Sequence, residues 1–404
     1  MKPRFLEDVR VADFTWAGAG PFGTKIFSDF GADVVKIESS IRLDSVRTGG
    51  PFKDRKFGVN RSGYFASRNT GKKSVVLDMK SDEGRKLAFD IIRQSDIIAN
   101  NFGPGAMDRM GLGYEAVKAV KPDIVYLSMP MYGEDGPRKE LLGVGMTISA
   151  VTGLMWSTGY RADDPVGPGT HYPDHAANPY HAAFAVLAAL RRRRLTGEGM
   201  KIDLSQVEST LNFIGTAVVR AGLEGGDRPQ AGNGSATMAP HGLFRCAGDD
   251  NWCAVTVRDD AEWRALATII GGKDAASPDL ASTEGRLERR AEVERIVGAW
   301  TADRDAETVA STLRDAGIPA AVVANSRYLI ERDRHLAERG YWQRVEHPEL
   351  GRSLYASPPY DIDGERVELS RPPLLGEHTR PVLRDLLGMA DDEIDRLEAA
   401  GVFK

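Results

Sequence analysis

The sequence predicts an α/β protein in which a parallel, doubly wound sheet carries helices on both faces and a smaller domain follows. Strand-like and helix-like segments alternate through the first third of the chain, which is the pattern of a parallel sheet. The chain has 404 residues, more than one hydrophobic core usually supports, so two domains are expected. The composition shifts at residues 224–229, a stretch containing Gly and Pro that we interpret as a hinge.

The elements of the large sheet follow from short apolar runs separated by turn residues. Strands are predicted over residues 9–14, 33–38, 74–79, 96–99, 123–128 and 200–204. Helices are predicted over residues 81–94, 114–120, 176–194 and 206–223. The longest of these, 176–194, is ended by the turn Thr196-Gly-Glu-Gly199.

The smaller domain is predicted from paired strands followed by helices. The strands cover 242–246, 252–257 and 318–323, and the helices lie near 260–270, 285–301 and 305–316. The tail is rich in turns and proline and ends in an acidic helix over 391–400, so we expect it to pack on the large domain. The predicted domains are therefore 1–223, 224–328, and a C-terminal segment, 329–404, that completes the first.

The composition excludes several function classes. Hydrophobic residues make up 42% and charged residues 27%, and the net charge of −5 favours neither nucleic acid nor an anionic membrane as a partner. The first ten residues carry too many charges for a secretory signal, and the longest apolar run, 182–190, is too short to span a bilayer. We expect a cytoplasmic protein in which Cys246 and Cys253 are buried free thiols.

A glycine-rich turn after the first strand matches a dinucleotide-binding fingerprint. Gly18-Ala-Gly-Pro-Phe-Gly23 fits G-x-G-x-x-G, and Glu38 ends the next strand where a ribose-binding acid would stand. An NAD(P)-dependent dehydrogenase is therefore an alternative. Trp16 weighs against it, because it puts a bulky ring at the mouth of the turn. Pro21 also weighs against it, because proline has no N–H to donate to a pyrophosphate.

Asp174 is the main candidate for catalysis. It lies in the segment 169–177, immediately before the longest predicted helix. The helix dipole and the unpaired N–H groups there favour an ionised carboxylate, and they would also stabilise an oxyanion forming beside it. Asp174 would then be a nucleophile, with a simple helix cap as the alternative.

Several segments together resemble the family III coenzyme A transferases, the formyl-CoA transferase and carnitine-CoA transferase type. The resemblance runs in order from residue 5 to the C-terminus, and its most specific segments contain Asn101-Phe102 and Leu375-Gly-Glu-His378. The other matching segments are 13–21, 30–38, 72–80 and 195–203.

The resemblance implies a Rossmann-like large domain with a smaller α+β domain, in a subunit that threads through another as an interlocked, ring-like dimer. The partner is a second copy or a related subunit. Asp174 stands where the family keeps its catalytic aspartate. The implied reaction moves CoA from an acyl-CoA donor, such as succinyl-CoA, to a carboxylic acid through aspartyl anhydride and aspartyl-CoA thioester intermediates. CoA is then substrate and product, and neither a metal nor NAD is expected.

The family pattern also implies the contacts with CoA. Lys72 or Lys73 is expected near a phosphate. Where the family commonly has an arginine after the strand-ending acid, this chain has Ser39, so we expect Arg42 to take over that phosphate contact. The residues expected to border the rest of CoA are Ala17, Leu77, Asn101, Phe102, Arg109 and Met110.

The substrate side is inferred from side chains that this sequence lacks. Small-acid members carry polar or bulky residues where this chain has Gly18, Gly143, Gly145 and Met146. Without those polar or bulky side chains the space above Asp174 would be larger, which favours a bulky or apolar acid over formate or oxalate. The loop 231–238 is either a flap that shields the reacting groups or a plain interdomain loop. Further expected substrate contacts are Trp16, Gly232 and Gly234.

Three rival functions stay open at the level of sequence. A 2-methylacyl-CoA racemase of the same fold needs a second base, which Gly143-Val-Gly145 does not supply but His171 or His175 would. A metal cluster of these two histidines with Asp174 and His181 is disfavoured by Pro173, which interrupts the helix. The third rival is a silent subunit of a hetero-oligomeric transferase.

Overall fold

The computed structural model describes residues 4–161, 164–226 and 232–404 of the chain. These form two units. The first contains residues 4–155, 167–226 and 337–404, and the second contains residues 156–166 (apart from 162–163) and 232–336. The excursion of residues 156–166 into the second unit was not predicted. The predicted hinge at 224–229 lies partly outside the described residues.

The first unit is built on a six-stranded sheet in which every neighbouring pair is parallel. The strand order is β3-β2-β1-β4-β5-β6, which is that of a doubly wound fold, so the predicted fold class is confirmed for this unit. The chain builds outward from β1 in both directions, and the order therefore reverses between β1 and β4. The strands are β1 Arg10–Asp13, β2 Asp33–Glu38, β3 Lys73–Val76, β4 Ile97–Asn100, β5 Val125–Ser128 and β6 Met200–Asp203.

Alternation along the strands sends apolar side chains to both faces of this sheet. In β1, Val11 packs in the cluster with Phe27 and Val186, from the helices Ala19–Asp29 and Asn178–Thr196. Its neighbour Ala12 packs in the other cluster with Ile91, from the helix Asp82–Arg93. Both faces are therefore covered by helices, as a buried parallel sheet requires.

The remaining elements of the first unit include several that were not predicted. The segment predicted as one helix over 206–223 is broken into Gln206–Leu211, a 3-10 turn Asn212–Ile214 and Gly215–Glu224. An antiparallel hairpin, Trp342–His347 with Gly351–Ala356, lies in the tail. The other helices are Ser45–Thr48, Gly63–Arg68, Ala106–Arg109, Tyr114–Val120, Gly145–Val151, Thr379–Leu387 and Asp391–Ala399, with a 3-10 turn at Lys53–Arg55.

The C-terminal segment is tied to the large sheet by specific hydrogen bonds. The His378 N–H donates to the Ser74 carbonyl at 2.9 Å, and the Val76 N–H donates to Thr379 Oγ1 at 3.0 Å. The Asp78 N–H donates to the Val402 carbonyl at 2.7 Å. The segment therefore covers the strand β3 and the loop that follows it.

The second unit has its own core around a three-stranded antiparallel sheet. Cys246 and Cys253 are both buried in this core and unpaired, as predicted. In the described part of the chain, no helix combines the length and apolarity needed to cross a membrane. The strands of this unit are Gly159–Arg161, Asp164–Pro165, His241–Arg245, Trp252–Thr256 and Ala320–Val322. Its helices are Asp260–Ile270, Gly272–Ala275, Thr283–Glu288, Arg290–Thr301, Ala306–Asp315 and Ser326–Glu331.

Candidate active site

The site lies where the strand order reverses, at the carboxyl ends of β1 and β4. Parallel strands that diverge at this point leave a crevice, and ligands of doubly wound folds bind there. Asn101 follows β4 and joins the two loops across the crevice. Its Oδ1 accepts from the Trp16 N–H and its Nδ2 donates to the Trp16 carbonyl, both at 2.8 Å. The Asn101 amide, predicted as a CoA contact, therefore positions the loop after β1.

The turn after Trp16 is held in an unusual backbone conformation by a buried ion pair. Ala17 has a φ of 61°, in the left-handed region that non-glycine residues seldom adopt. Its N–H donates to Asp44 Oδ1 at 2.9 Å. Lys36 Nζ lies 3.3 Å from Asp44 Oδ2 and donates to the Thr15 carbonyl at 2.5 Å, and both side chains of this pair are fully buried. The pair thus fixes the turn that leads into Gly18.

Asp174 is placed beside this turn by the start of the longest helix. It lies in a π-helical turn, Pro173–Ala177, that runs into the helix Asn178–Thr196. Its N–H donates to the His171 carbonyl at 2.9 Å, and its carboxylate accepts a hydrogen bond from the Gly145 N–H. Only 5% of the residue is exposed. The side chain is therefore a buried carboxylate with a backbone donor aimed at it.

Two glycines leave room for this carboxylate. A Cβ atom on Gly18 would lie 2.7 Å from Asp174 Oδ2, and one on Gly145 would lie 2.9 Å from it. Both distances are shorter than any ordinary contact, so a side chain at either position would displace the carboxylate. A Cβ on Gly143 would come within 2.7 Å of the Met131 sulfur.

This packing corrects the reason given for the glycines from sequence. Gly18 and Gly145 make space for Asp174, and Gly143 is packed against its neighbours, so the space gained does not go to a bulky substrate. The expectation of a bulky acid therefore needs support from another part of the structure.

Burial raises the pKa of Asp174 to about 6, while His171, the Gly145 N–H and Arg68 act in the opposite direction. A carboxylate with this pKa is mostly ionised at neutral pH but poorly solvated. Both properties suit a nucleophile, because the charged form is present and no tight water shell has to be removed.

A cavity of about 220 Å³ opens onto Asp174 at the crevice. It brings together six of the residues predicted from sequence: Ala17, Gly18, Asn101, Phe102, Gly143 and Asp174. The sequence had not indicated its other lining residues, Ala19, Gly103, Met131, Leu142, Val144 and Gln206. The cavity therefore joins the predicted nucleophile to part of the predicted CoA site.

Trp16 and Arg42 lie next to this cavity. The Trp16 ring meets the Phe102 ring edge to face, with centroids 5.8 Å apart, and the Arg42 guanidinium lies over Trp16 at 5.5 Å. Ser39 Oγ accepts from the Ile41 and Arg42 N–H groups, which turns the chain back toward Trp16. The exposed Arg42 is thus placed at the rim, and a phosphate contact for it remains a prediction.

Three of the other predicted CoA residues do not line the cavity. The Leu77 side chain is fully buried in the core of the first unit, so it cannot meet a ligand. Met110 packs against the same core. Arg109 is exposed at the end of the helix Ala106–Arg109, and its contact with CoA remains a prediction.

The structure contradicts the phosphate contact predicted for the lysine pair. Lys72 is fully buried, and its Nζ donates to Asp13 Oδ2, the Pro21 carbonyl, Thr24 Oγ1 and Asn69 Oδ1 at 2.7–2.9 Å. An ammonium has three protons, so this set leaves none for a phosphate. Lys73 begins β3, at the opposite end of the strand from the crevice, and pairs with Asp33 at 2.6 Å. Lys72 is therefore structural, and Lys73 lies away from the crevice.

The apparent dinucleotide fingerprint is also explained by packing. A Cβ on Gly20 would lie 2.5 Å from the Thr15 Cβ, so glycine is needed for the helix Ala19–Asp29 to approach the loop before it. Glu38 is buried, and its two oxygens accept from Arg47 at 2.8 Å each. This carboxylate also accepts from Ser74, and because it is buried among these donors it is not open to a ribose. The dehydrogenase alternative loses the acid on which it depends.

Two of the three histidines in the suggested metal cluster have partners of their own. His175 Nδ1 lies 2.9 Å from Arg68 Nη2, and His181 Nδ1 lies 2.7 Å from Ser209 Oγ. His171 Nδ1 is buried and has no hydrogen-bond partner. Within residues 4–161, 164–226 and 232–404, no three His, Cys, Asp or Glu side chains are arranged to hold a metal ion. The metal-cluster interpretation therefore has no support from the described residues.

Two residues near the Asp174 turn, Arg68 and Tyr64, were not predicted from the sequence. Both lie on the short helix Gly63–Arg68, and Tyr64 meets the His175 ring edge to face at 6.1 Å. Nothing in the local sequence distinguishes them from surface residues of a helix. Gly232 and Gly234 belong to the second unit, and Ala231 of their loop lies outside the described residues, so the flap remains a prediction.

Comparison with known proteins places these features in a family. Residues 6–379 match the profile described as CoA-transferase family III. The chain is 30% identical to a formyl-CoA:oxalate CoA-transferase from Streptomyces coelicolor, over 100% of both chains. It is 28% identical to a succinyl-CoA–D-citramalate CoA-transferase from Chloroflexus aurantiacus, over 99% and 98% of the two chains. A crystal structure of a CAIB/BAIF family protein from Brucella suis matches with a TM-score of 0.85 and 26% identity, covering 94% and 98%.

Proposed function

This chain belongs to CoA-transferase family III, and we propose that it moves CoA from an acyl-CoA donor to a carboxylic acid through covalent intermediates on Asp174. Succinyl-CoA is one candidate donor, because a relative that matches along its whole length is named for it. The acceptor class is not given by the family, since the named relatives use different acids.

The proposed reaction has four steps, each of which conserves charge. An Asp174 oxygen attacks the donor thioester carbonyl, and the C–S bond breaks to give an aspartyl-acyl anhydride and CoA thiolate. The thiolate attacks the aspartyl carbonyl of the anhydride and releases the donor acid, which leaves an aspartyl-CoA thioester. The acceptor carboxylate attacks this thioester and releases thiolate again. The thiolate then attacks the acceptor's carbonyl, which gives the new acyl-CoA and the free Asp174 carboxylate.

The surroundings of Asp174 support these steps. Burial keeps the carboxylate poorly solvated and would keep water away from the anhydride, which hydrolyses readily. The Gly145 N–H is close enough to stabilise negative charge on an aspartyl oxygen as each tetrahedral intermediate forms. Pro173 and the helix that follows hold the side chain in place, and His171 favours its ionised form by lowering its pKa.

The observation that carries the proposal is the carboxylate between two glycines. A Cβ on Gly18 or Gly145 would lie 2.7 or 2.9 Å from Asp174 Oδ2 and would displace it, and the same carboxylate opens onto the cavity at the crevice. The two glycines let the carboxylate lie at the crevice, and the cavity there gives a thioester carbonyl a path to it.

The test combines exchange assays with trapping. Succinyl-CoA and other donors are offered with a panel of aromatic, branched and steroid-like acids, and acyl-CoA products are measured for the native protein and Asp174→Asn. Hydroxylamine added during turnover should label the peptide containing Asp174, because it attacks acyl-aspartate intermediates. Exchange without any label, or full activity in the Asn variant, would exclude this route.

A racemase is the second candidate, on one observation. His171 Nδ1 is buried without a partner beside the Asp174 turn, so a second base is present near the carboxylate. A racemase would exchange the α-proton of a chiral 2-methylacyl-CoA for deuterium in heavy water. Loss of that proton without transfer of CoA would favour this candidate.

We also propose that the working protein is an oligomer, as an interlocked homodimer or with a related subunit. Large apolar side chains are exposed along the long helix, with Phe184 76% and Leu187 43% exposed in the isolated chain. A second chain would cover such a stripe. Light scattering on the purified protein should give twice the mass of one chain, and a monomer would contradict the proposal.

A further inference from the structure

A second cavity borders the turn that carries Asp174. It has a volume of about 430 Å³ and lies in the first unit, and its walls include His175 of the same turn and Phe22 of the helix Ala19–Asp29. Ala19, on the same helix, lines the smaller cavity with Asp174. The two cavities therefore share two elements. We name the larger one the Arg68 cavity and define it by its walls: Phe22, Arg68, His175, Tyr180, Tyr341 and Tyr355.

Arg68 brings a positive charge to this cavity, and Asp174 acts on that charge electrostatically without forming an ion pair with it. Its Nη2 lies 2.9 Å from His175 Nδ1, and because a guanidinium only donates, His175 is the acceptor and is neutral. Its guanidinium lies over the Phe22 ring at 4.5 Å, and its Nε is buried with no hydrogen-bond partner. In the described part of the chain, no carboxylate forms an ion pair with it. A cation so placed is costly unless an anion binds beside it.

Tyr355 provides an independent sign that a polar ligand belongs here. The residue is only 5% exposed, and its hydroxyl is buried without a hydrogen-bond partner. Buried hydroxyl groups are almost always paired, so an orphaned one just beneath the cavity wall marks a group that a ligand atom would satisfy once the ring turns toward the cavity. The other charges of the cavity wall, Lys25 and Asp29, bind each other and cancel. One positive charge and one free hydroxyl therefore remain.

The rest of the wall is apolar and aromatic. Phe22, Phe30, Tyr180, Tyr341 and Tyr360 present rings to it, with Pro358 and Pro359 beside them. A small inorganic anion would satisfy Arg68 but leave these rings uncovered. A cavity of this size and lining suits an organic ligand that combines a flat apolar body with one negatively charged end.

We propose that the Arg68 cavity binds the acceptor acid, an aromatic monocarboxylate whose carboxylate accepts from Arg68 and whose ring lies among the tyrosines and phenylalanines. This inference rests on the proposed transferase function and adds the acceptor class to it. Arg68 is then a specificity residue that presents the acceptor's carboxylate beside the Asp174 turn, while the smaller cavity serves the thioester end of CoA. The lining of this cavity, rather than the glycines around Asp174, thus supports the bulky, apolar acid that was expected from the sequence.

Direct binding tests this without any turnover. Phenylacetate is titrated calorimetrically into the native protein and into Asp174→Asn, with phenylacetamide as the neutral analogue. We expect phenylacetate to bind both proteins, and the amide to bind at least about tenfold more weakly, because a charge-assisted pair is lost. Arg68→Gln should weaken phenylacetate binding by about tenfold or more, while the exposed Arg191→Gln should leave it unchanged. Equal affinity of acid and amide, or of native protein and Arg68→Gln, would overturn the proposal.

Tyr355→Phe separates a ligand contact from a structural role. The variant loses a hydroxyl that has no partner in the free protein, so its melting temperature should not fall, while phenylacetate binding should weaken. A lower melting temperature with unchanged binding would contradict the assignment. If Arg68→Gln does not fold, Arg68→Lys keeps the charge but not the planar donor set and should show an intermediate affinity.

Kinetics distinguishes this inference from the proposed function. In Arg68→Gln the KM for an aromatic acceptor should rise at least about tenfold, with the KM for the CoA donor unchanged. If exchange proceeds with other acids but phenylacetate neither binds nor accepts CoA, the cavity assignment is wrong and the transferase function stands. If phenylacetate binds as described but no donor transfers CoA, the transferase function is wrong.

Discussion

Replacing Asp174 with asparagine should abolish exchange and at the same time stabilise the protein. Asparagine keeps the shape of the side chain and one acceptor oxygen, but it carries no charge and does not form an anhydride. Burial raises the pKa of Asp174 from the ordinary 3.8 to about 6. A rise of about two pKa units means that the ionised carboxylate costs about 3 kcal/mol of folding free energy.

The sign of this effect fixes its pH dependence. Because the pKa is higher in the folded state, the group does not destabilise the protein below about pH 4, where it is protonated in both states. The penalty grows as the pH rises from about 4 to about 6 and is complete above the folded-state pKa. The stabilisation of Asp174→Asn should therefore be largest at about pH 8 and should vanish toward about pH 4. The kcat/KM of the native enzyme should fall as the pH drops below about 6, since only the ionised carboxylate attacks.

Thermal unfolding and exchange assays check both halves of this prediction. If the 404 residues unfold together, about 3 kcal/mol corresponds to an increase in Tm of about 4 °C at about pH 8. Asp303→Asn makes the same charge change at an exposed aspartate and should shift Tm by less than about 1 °C. An equal Tm shift for Asp174→Asn at both pH values would refute the burial argument. Retained exchange would refute the role as nucleophile.

Three further substitutions test the packing around the site. Gly18→Ala puts a Cβ 2.7 Å from Asp174 Oδ2 and should lower kcat by about 100-fold. The control is Gly222→Ala, which has open space around it in a helix and should raise stability by about 0.5–1 kcal/mol. Lys72→Met should lower stability by about 3–5 kcal/mol, because the buried Asp13 loses its cation, while the Kd for CoA should not change. Weaker CoA binding by a stably folded variant would restore the phosphate role of Lys72. Asp44→Ala removes the acceptor that holds the turn beside the nucleophile and should lower kcat as well as stability, so an unaltered kcat would show that the turn does not position the site.

Much of the fold of the first unit could be predicted because its signals are local. Runs of β-branched residues mark strands wherever they occur, and their alternation with helices leads to a parallel sheet. The broken helix over 206–224 and the tail hairpin escaped prediction, since their boundaries depend on what they pack against. The excursion of residues 156–166 into the second unit is a similar case, because no composition change marks it.

The candidate site, too, was predictable from the sequence only in part. The sequence singled out Asp174, Asn101 and Phe102, and the structure brings them to one cavity at the crevice between β1 and β4. The sequence also suggested Lys72 as a phosphate ligand, whereas in the structure all protons of that ammonium are donated to buried oxygen atoms. A sequence shows that a lysine is present but not which acceptors surround it.

By itself, then, the sequence determined the parallel sheet, the helix that begins at the proposed nucleophile, and the segments that resemble a transferase family, because each depends on residues close together in the chain. Only the tertiary structure decided which polar groups are consumed by one another and which remain free. Arg68 and Tyr355 lie far apart in sequence, yet they line one cavity, each with a buried polar atom that has no hydrogen-bond partner. Hydrogen bonds and ion pairs are satisfied between distant parts of the chain, so the capacity left for a ligand exists only once the chain has folded.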